Sequence, residues 1–370
     1  MQGTTTKGQS PARSSSDAAS PGRLLIALLS LIVVIAVLYI GFVFLRSNNA
    51  PPALSAILAI VWGVGGVAAL FTAANILVES MSPAWTRRIQ PYIFVGPAVL
   101  LLAAFLAIPT LETLRRSFLN NDSTTFVGLD NYIATFTDRQ MQLSFRNNLL
   151  WLVVGTGASV ALGLLIAVLA DRSKFETVAK ALIFLPMAIS FVGAGVIWRF
   201  VYAYAPAGEA QIGLLNAVWT SLGGSPQSWI SVQPWNNLLL IVVVVWLQTG
   251  FAMVVLSAAL KGVPDDIVEA ARMDGATEVQ SFFRIIIPYI MGTIITVTTT
   301  TAIAMLKIFD VVIVMTGGQY STEVVATQFY RQFFINRNFG FGSAIAIVLF
   351  LAVTPVLFYN LRQLRKQEGF

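Results

Sequence analysis

Eight apolar runs dominate the chain. They extend over Leu24–Leu45, Leu54–Val78, Tyr92–Leu111, Leu149–Ala170, Ala181–Ala203, Leu238–Leu260, Tyr289–Val311 and Gly342–Leu361. Each is near the roughly twenty residues that cross the hydrocarbon of a bilayer as a helix. Alternation with a period of two, the mark of barrel strands, is absent. The pattern predicts an all-α membrane protein with about eight transmembrane helices. Ahead of the first run, residues 1–22 are rich in Ser, Thr, Ala, Gly and Pro and read as a flexible polar tail. The first run is longer than the roughly 7–15 residues of a signal-peptide core, so an uncleaved helix is expected there. The segments 120–148 and 204–237 carry aromatics, Gly, Pro and polar residues. They are expected to form short helices along the outer surface, with Trp229 and Trp235 suited to the membrane interface.

Composition sharpens this reading. Hydrophobic residues make up 56% and charged residues 11%, where a soluble chain carries roughly a quarter. Such an apolar surface costs nothing in a bilayer. Cys and His are both absent, which excludes disulfides, thiolate and imidazole metal sites, and histidine acid–base chemistry. The net charge of +6 fits cytoplasmic loops of a membrane protein better than nucleic acid binding, and no nucleic acid partner is expected. With the first residue placed in the cytoplasm, the inside segments hold 14 of 23 basic residues, among them Arg87, Arg88, Arg172, Lys174 and Lys180. That bias favours both termini inside. The four arginines between Arg115 and Arg146 run against it, though long loops cross regardless of charge.

The most informative stretch lies between the sixth and seventh runs, from Lys261 to Ile290. Pro264 suits the first turn of a helix, and Asp265 and Asp266 suit its positive end. Gly275 is placed to end that helix. A second helix is predicted from near Thr277 to Ile287, where Pro288 leads into the next span. A helix, a glycine break and a second helix make a rigid, exposed element that a partner can grip.

This stretch resembles the signature loop of binding-protein-dependent ABC import permeases, in which Glu-Ala-Ala is followed, after three intervening residues, by a glycine and then by an Ile-x-Leu-Pro sequence. Here those positions are Glu269, Ala270 and Ala271, then Asp274, Gly275 and Ala276, then Ile285 to Pro288, with Ile287 in place of the usual leucine. The segments 315–318 and 339–344 resemble the maltose-type carbohydrate branch, and the likeness covers the chain from about Tyr92 to its end. The resemblance implies a six-helix permease core at 81–370 with a coupling loop at 261–288, preceded by two accessory transmembrane helices at 23–80. It further implies that Glu269, Ala270, Ala271, Asp274, Gly275 and Ala276 contact a cytoplasmic ATPase. The short loop 115–148 departs from the first maltose-type permease, which carries a large outer domain there. No Walker A pattern occurs, so ATP and Mg are expected on a partner chain, with no cofactor in this one. The implied partners are a second permease subunit, two copies of an ATP-binding subunit, an extracytoplasmic sugar-binding protein and membrane lipid. The implied location is the bacterial inner membrane.

Polar residues inside spans are the candidates for a substrate path. Val244, Leu247, Gln248 and Phe251 share one face of the sixth span, where an amide beside an aromatic ring suits a sugar. Helix–helix bonding by Gln248 is an equal alternative. On the threonine-rich seventh span, Thr301 and Met305 fall where the family's sugar site would map. Lys307 lies on an adjacent face and is also able to snorkel outward. The function expected is that of a sugar import permease, for a disaccharide or α-glucoside. A secondary transporter or channel would carry more charge in mid-span, and a membrane enzyme would need a paired acid and base that the spans do not offer.

Overall fold

The structure, a computed structural model, describes residues 21–47 and 51–367. The polar tail expected at 1–22 therefore lies outside the described residues, except for Pro21 and Gly22, which begin the first helix. The described residues fold into helices, with an isolated antiparallel pairing of Leu119 and Phe126. Two compact units are defined by internal packing, one up to Thr110 and one from Leu111 onward.

The first unit holds α1 (Pro21–Arg46), α2 (Pro52–Glu79) and most of α3 (Pro83–Arg116). Few of their side chains are buried, and large apolar residues such as Ile60, Val64, Leu100 and Phe105 face outward. Lipid is the solvent that accepts such a surface. In the second unit, α4 (Asp130–Thr137) and α5 (Arg139–Asp171) lead into α6 (Glu176–Ala188) and α7 (Phe191–Val201). Then come α8 (Leu214–Ser221), α9 (Trp235–Lys261), α10 (Asp265–Met273), α11 (Glu278–Tyr289) and α12 (Met291–Leu306). The last three are α13 (Asp310–Met315), α14 (Val325–Tyr330) and α15 (Phe339–Gln367).

Among the described residues six helices, α1, α2, α3, α5, α9 and α15, are long and apolar enough to cross a membrane. Two bent pairs complete the set of eight if each counts as one span: α6 with α7, bent by 102°, and α11 with α12, bent by 69°. The fifth and seventh apolar runs are thus not the straight helices that hydropathy suggests. In the fifth, Ile189 and Ser190 adopt extended backbone after a tight turn at Pro186, and the Ser190 hydroxyl accepts a bond from the Gly193 N–H at 3.0 Å, capping a new helix. In the seventh, Ile290 leaves helical geometry two residues after Pro288. That run also stops early, because α12 ends at Leu306 and Val311 belongs to the separate α13.

The centre of the second unit is α9, of which 56% of the most apolar window is buried, against 0% for α3. One apolar cluster joins its N-terminal half to Trp151, Met305, Val311 and Met315, and another joins its C-terminal half to Ala167 and Val297. Contact with α5 is closest at Gly163, where a Cβ would stand 2.5 Å from Ala252 Cβ and 2.9 Å from the Met253 nitrogen. Only a glycine lets the two backbones approach this far. The short helices expected in the two polar loops are present as α4 and α8. Trp229 does not lie free at an interface: its indole N–H donates to Asn216 Oδ1 at 2.9 Å, inside the loop's own small core. Trp235 is exposed.

Candidate functional site

The loop between α9 and α12 folds as its local signals require. Pro264 sits just outside α10, at the cap position, and Asp265 and Asp266 fill the first turn. The end of α10 is a complete Schellman turn: Ala276 N–H donates to the Ala271 carbonyl and Gly275 N–H to the Arg272 carbonyl, each at 3.0 Å. Gly275 has φ +82°, the left-handed conformation that this turn demands and that glycine adopts without penalty. Thr277 then opens α11 with a capping box. Its hydroxyl accepts from Gln280 N–H at 3.3 Å, while Thr277 N–H donates to Gln280 Oε1 at 2.9 Å. Arg272 Nε donates to Glu278 Oε1 at 3.0 Å across the break. Both sides of the glycine are therefore held, and the two short helices keep a fixed angle.

Of the six residues expected to meet a partner, Ala271 faces inward and is buried, Ala276 is half-buried, and Glu269, Ala270, Asp274 and Gly275 are exposed. Beside them Met273 is 88% exposed, and Val279 and Phe283 are exposed too.

The substrate-path residues divide. Val244, Leu247 and Met305 are packed in the cluster around the N-terminal half of α9, and Phe251 lies against the one around its C-terminal half with Val297. Gln248 is one turn from each on α9, and Thr301 is one turn from both Val297 and Met305 on α12. The two polar residues thus occupy the level between the clusters. Gln248 is half-buried, and its amide has no hydrogen-bond partner among the described residues. Thr301 is fully buried with its hydroxyl unpartnered, as are the Trp151 indole N–H and the Thr156 hydroxyl. Lys307 does not join this group. It lies just past the end of α12, is exposed, and lines a separate cavity of about 370 Å³ with Phe329, Leu349 and Phe350.

A second organised region was not expected. The loop after α13 carries two consecutive non-glycine residues of positive φ, Tyr320 at +57° and Ser321 at +61°. Such a conformation persists only where the surroundings impose it. Side-chain amides do so here. Asn147 donates to the Ser321 carbonyl at 2.8 Å and the Glu323 carbonyl at 2.7 Å, and Asn236 donates to the Tyr320 carbonyl at 2.7 Å. Asn237 and Gln233 add bonds to Ser321 at 3.2 Å and 2.8 Å. Beneath them the buried Glu323 pairs with Arg331 and accepts from Thr327 Oγ1 at 2.6 Å. Burial pushes the Glu323 carboxyl above its ordinary range, while Thr327 and Arg331 pull it down. On one flank of this loop a cavity of about 590 Å³ is lined by Arg199, Tyr202, Tyr204, Ser231, Gln319 and Tyr320, among others. The signal in the sequence was two of its four Asn-Asn dipeptides, 147–148 and 236–237, each immediately before an apolar run.

The chain combines many apolar helices with a rigid, exposed paired-helix loop, and its sequence contains no Walker A pattern. This chain belongs to the family of binding-protein-dependent transport system inner membrane components, which matches residues 159–366. It is 56% identical over 275 residues to the osmoprotective compounds uptake permease protein GgtC of Synechocystis sp., covering 74% of this chain and 99% of that one. It is 43% identical over 330 residues to the alpha-glucoside transport system permease protein AglF of Rhizobium meliloti, covering 85% and 98%. Its fold is that of a chain in a bacterial ABC transporter involved in import of the acidic polysaccharide alginate, with a TM-score of 0.65 at 21% identity over 75% of this chain and 98% of that one. The protein is thus a permease subunit of the inner membrane, and its role is transport.

Proposed function

We propose that this permease passes a neutral sugar of the α-glucoside class from an extracytoplasmic binding protein to the cytoplasm, driven by ATP hydrolysis on separate chains. The observation that carries the reading is the α10–α11 element: exposed, apolar at its tip, and locked on both sides of Gly275. It is a lever arm with a contact face, formed by Glu269, Ala270, Asp274 and Gly275 around the inward Ala271 and the half-buried Ala276. Two ATPase copies bind ATP and Mg, and a second permease subunit supplies the other coupling loop. The substrate class is supported by the likeness to an alpha-glucoside permease over 85% of the chain and by the uncharged pairing of Gln248 with Phe251. Residues 81–370 form the working core, with 23–80 accessory, and both termini are cytoplasmic. Co-purification tests the assembly: the tagged chain should bring down a nucleotide-binding subunit and a second permease. Recovery of the chain alone from intact membranes would sink the ATP-driven reading.

The topology has its own test, made simple by the absence of cysteine. Single cysteines at Thr124 and Glu209, both exposed, should react with a membrane-impermeant maleimide applied from outside. A cysteine at Gln280, also exposed, should react only after the membrane is permeabilised. The reverse pattern would place the α10–α11 element outside and remove any ATPase contact.

A further inference from the structure

The charged groups at the inner ends of three helices form one network. Ser257 Oγ, on α9, donates to Asp171 Oδ1 at the end of α5 at 2.7 Å. Lys180, on α6, donates to that serine and pairs with both Asp171 and Glu176, the latter at 2.6 Å. Glu176, the first residue of α6, also pairs with Lys261. The Asp171 and Lys180 side chains are only 17% and 18% exposed, whereas Lys261 is 54% exposed. The network therefore has a fixed part, closed off from water, and one open arm from Glu176 to Lys261. Its two carboxylates and two ammonium groups balance, so nothing in it requires a further ion.

The open arm has a particular place in the chain. Lys261 is the last residue of α9, and α10 begins four residues later at Asp265. Glu176 begins the inner arm of the broken fifth span. That arm lies along the inner half of α9, where a Cβ on Gly250 would stand 2.7 Å from the Ile183 carbonyl oxygen. The outer arm, α7, reaches the 590 Å³ cavity through Arg199 and Tyr202, and Tyr202 Oη donates to the Leu239 carbonyl at 3.1 Å. The fifth span is thus tied to α9 at both ends, with the 102° bend between.

We propose that Glu176 is a positioning residue for energy coupling: through Lys261 it joins the inner arm of the broken fifth span to the root of the α10–α11 element. The inference rests on the reading of that element as the ATPase contact. A solvent-exposed ion pair is weak and screened, which suits a tie that is made in one state of a transport cycle and released in another. While the tie holds, a movement of the fifth span is passed to the last residue of α9, beside the root of α10, as well as to Ser257.

The test uses the whole complex, with its binding protein, in proteoliposomes. ATPase activity is measured with and without maltose, trehalose and sucrose as α-glucoside probes. In Glu176→Gln and Lys261→Met, the ratio of stimulated to basal activity should fall roughly two- to thirtyfold, the range by which residues between coupled sites change coupling. The sugar concentration giving half-stimulation should not move. Lys261→Arg, which keeps the charge, should retain the ratio, and the double variant Glu176→Gln/Lys261→Met should be no worse than either single one. Assembly is checked by the amount of intact complex purified. Normal ratios in both single variants, additive losses in the double variant, or failure of Lys261→Arg would each overturn the proposal. A wild-type complex that no sugar stimulates would overturn the coupling reading and this inference together; a stimulated wild type with unaffected variants overturns this inference alone.

Discussion

Gly275→Val should abolish uptake while leaving the chain in the membrane. At φ +82° a β-branched residue is a genuine outlier, and non-glycine residues in this conformation cost roughly 1–2 kcal/mol. A Cβ at this position meets no other atom within 4 Å, so the penalty is purely one of backbone conformation. The cheapest relief is to undo the Schellman turn, which also frees the Arg272–Glu278 pair and the angle between α10 and α11. Gly275→Asn separates conformation from identity, because asparagine tolerates the left-handed region, and uptake should stay within a few-fold of wild type. Glu269→Lys is the companion change. It reverses a charge on an exposed helical face, leaves the turn intact, and should abolish uptake by removing a partner contact. The readouts are uptake in cells, the amount of inserted protein, and pull-down of the ATPase subunit. Normal uptake in both Gly275→Val and Glu269→Lys would make the element an ordinary surface hairpin.

The same element shows what a sequence can disclose. Pro264, the two aspartates, Gly275 and Thr277 act on their own neighbours within four residues, so the helix, break and helix were legible almost to the residue. The bend inside the fifth span was not, because hydropathy reports burial in lipid and carries no direction; the break before the seventh was, as the point where Pro288 leads from the loop's second helix into the next span. Proline does not separate the cases either. Pro91 and Pro97 lie inside α3, which stays continuous, whereas the bends follow Pro186 and Pro288 where Ile189 and Ile290 abandon helical geometry. The Asn147 clamp was legible only as a polar dipeptide at the edge of a run. Its acceptors, the Ser321 and Glu323 carbonyls, are 174 and 176 residues away, and no local pattern encodes that pairing. The end of the seventh span beside Lys307 was also hidden. Helical spacing placed it on a face of the seventh span, but α12 ends one residue before it.

Gln248→Leu should weaken uptake affinity by about threefold to a hundredfold. The amide is half-buried in mid-helix, at the level between two apolar clusters, and bonds to nothing among the described residues. Leucine and glutamine have similar helix propensity, so α9 is unaffected. What is lost is a bond to a sugar hydroxyl: roughly 0.5–1.5 kcal/mol for the bond, or about 1–3 if the hydroxyl is left buried and unpaired, at tenfold per 1.4 kcal/mol. Phe251→Ala should act in the same direction by removing the ring face next to that hydroxyl. Thr301→Val decides between solute and scaffold. The valine is nearly isosteric, and the buried hydroxyl it removes has no partner among the described residues, so the fold loses nothing. That hydroxyl is enclosed in this structure, so affinity falls if the transport cycle opens the level between the clusters to the sugar, and unchanged affinity makes Thr301 part of the scaffold. Uptake is measured over a range of sugar concentrations, beside pull-down of the ATPase, which all three variants should pass because α10 is remote from these positions in the chain. Unchanged affinity across the three, or loss of assembly in any, would assign Gln248 to contacts between helices of the assembled complex.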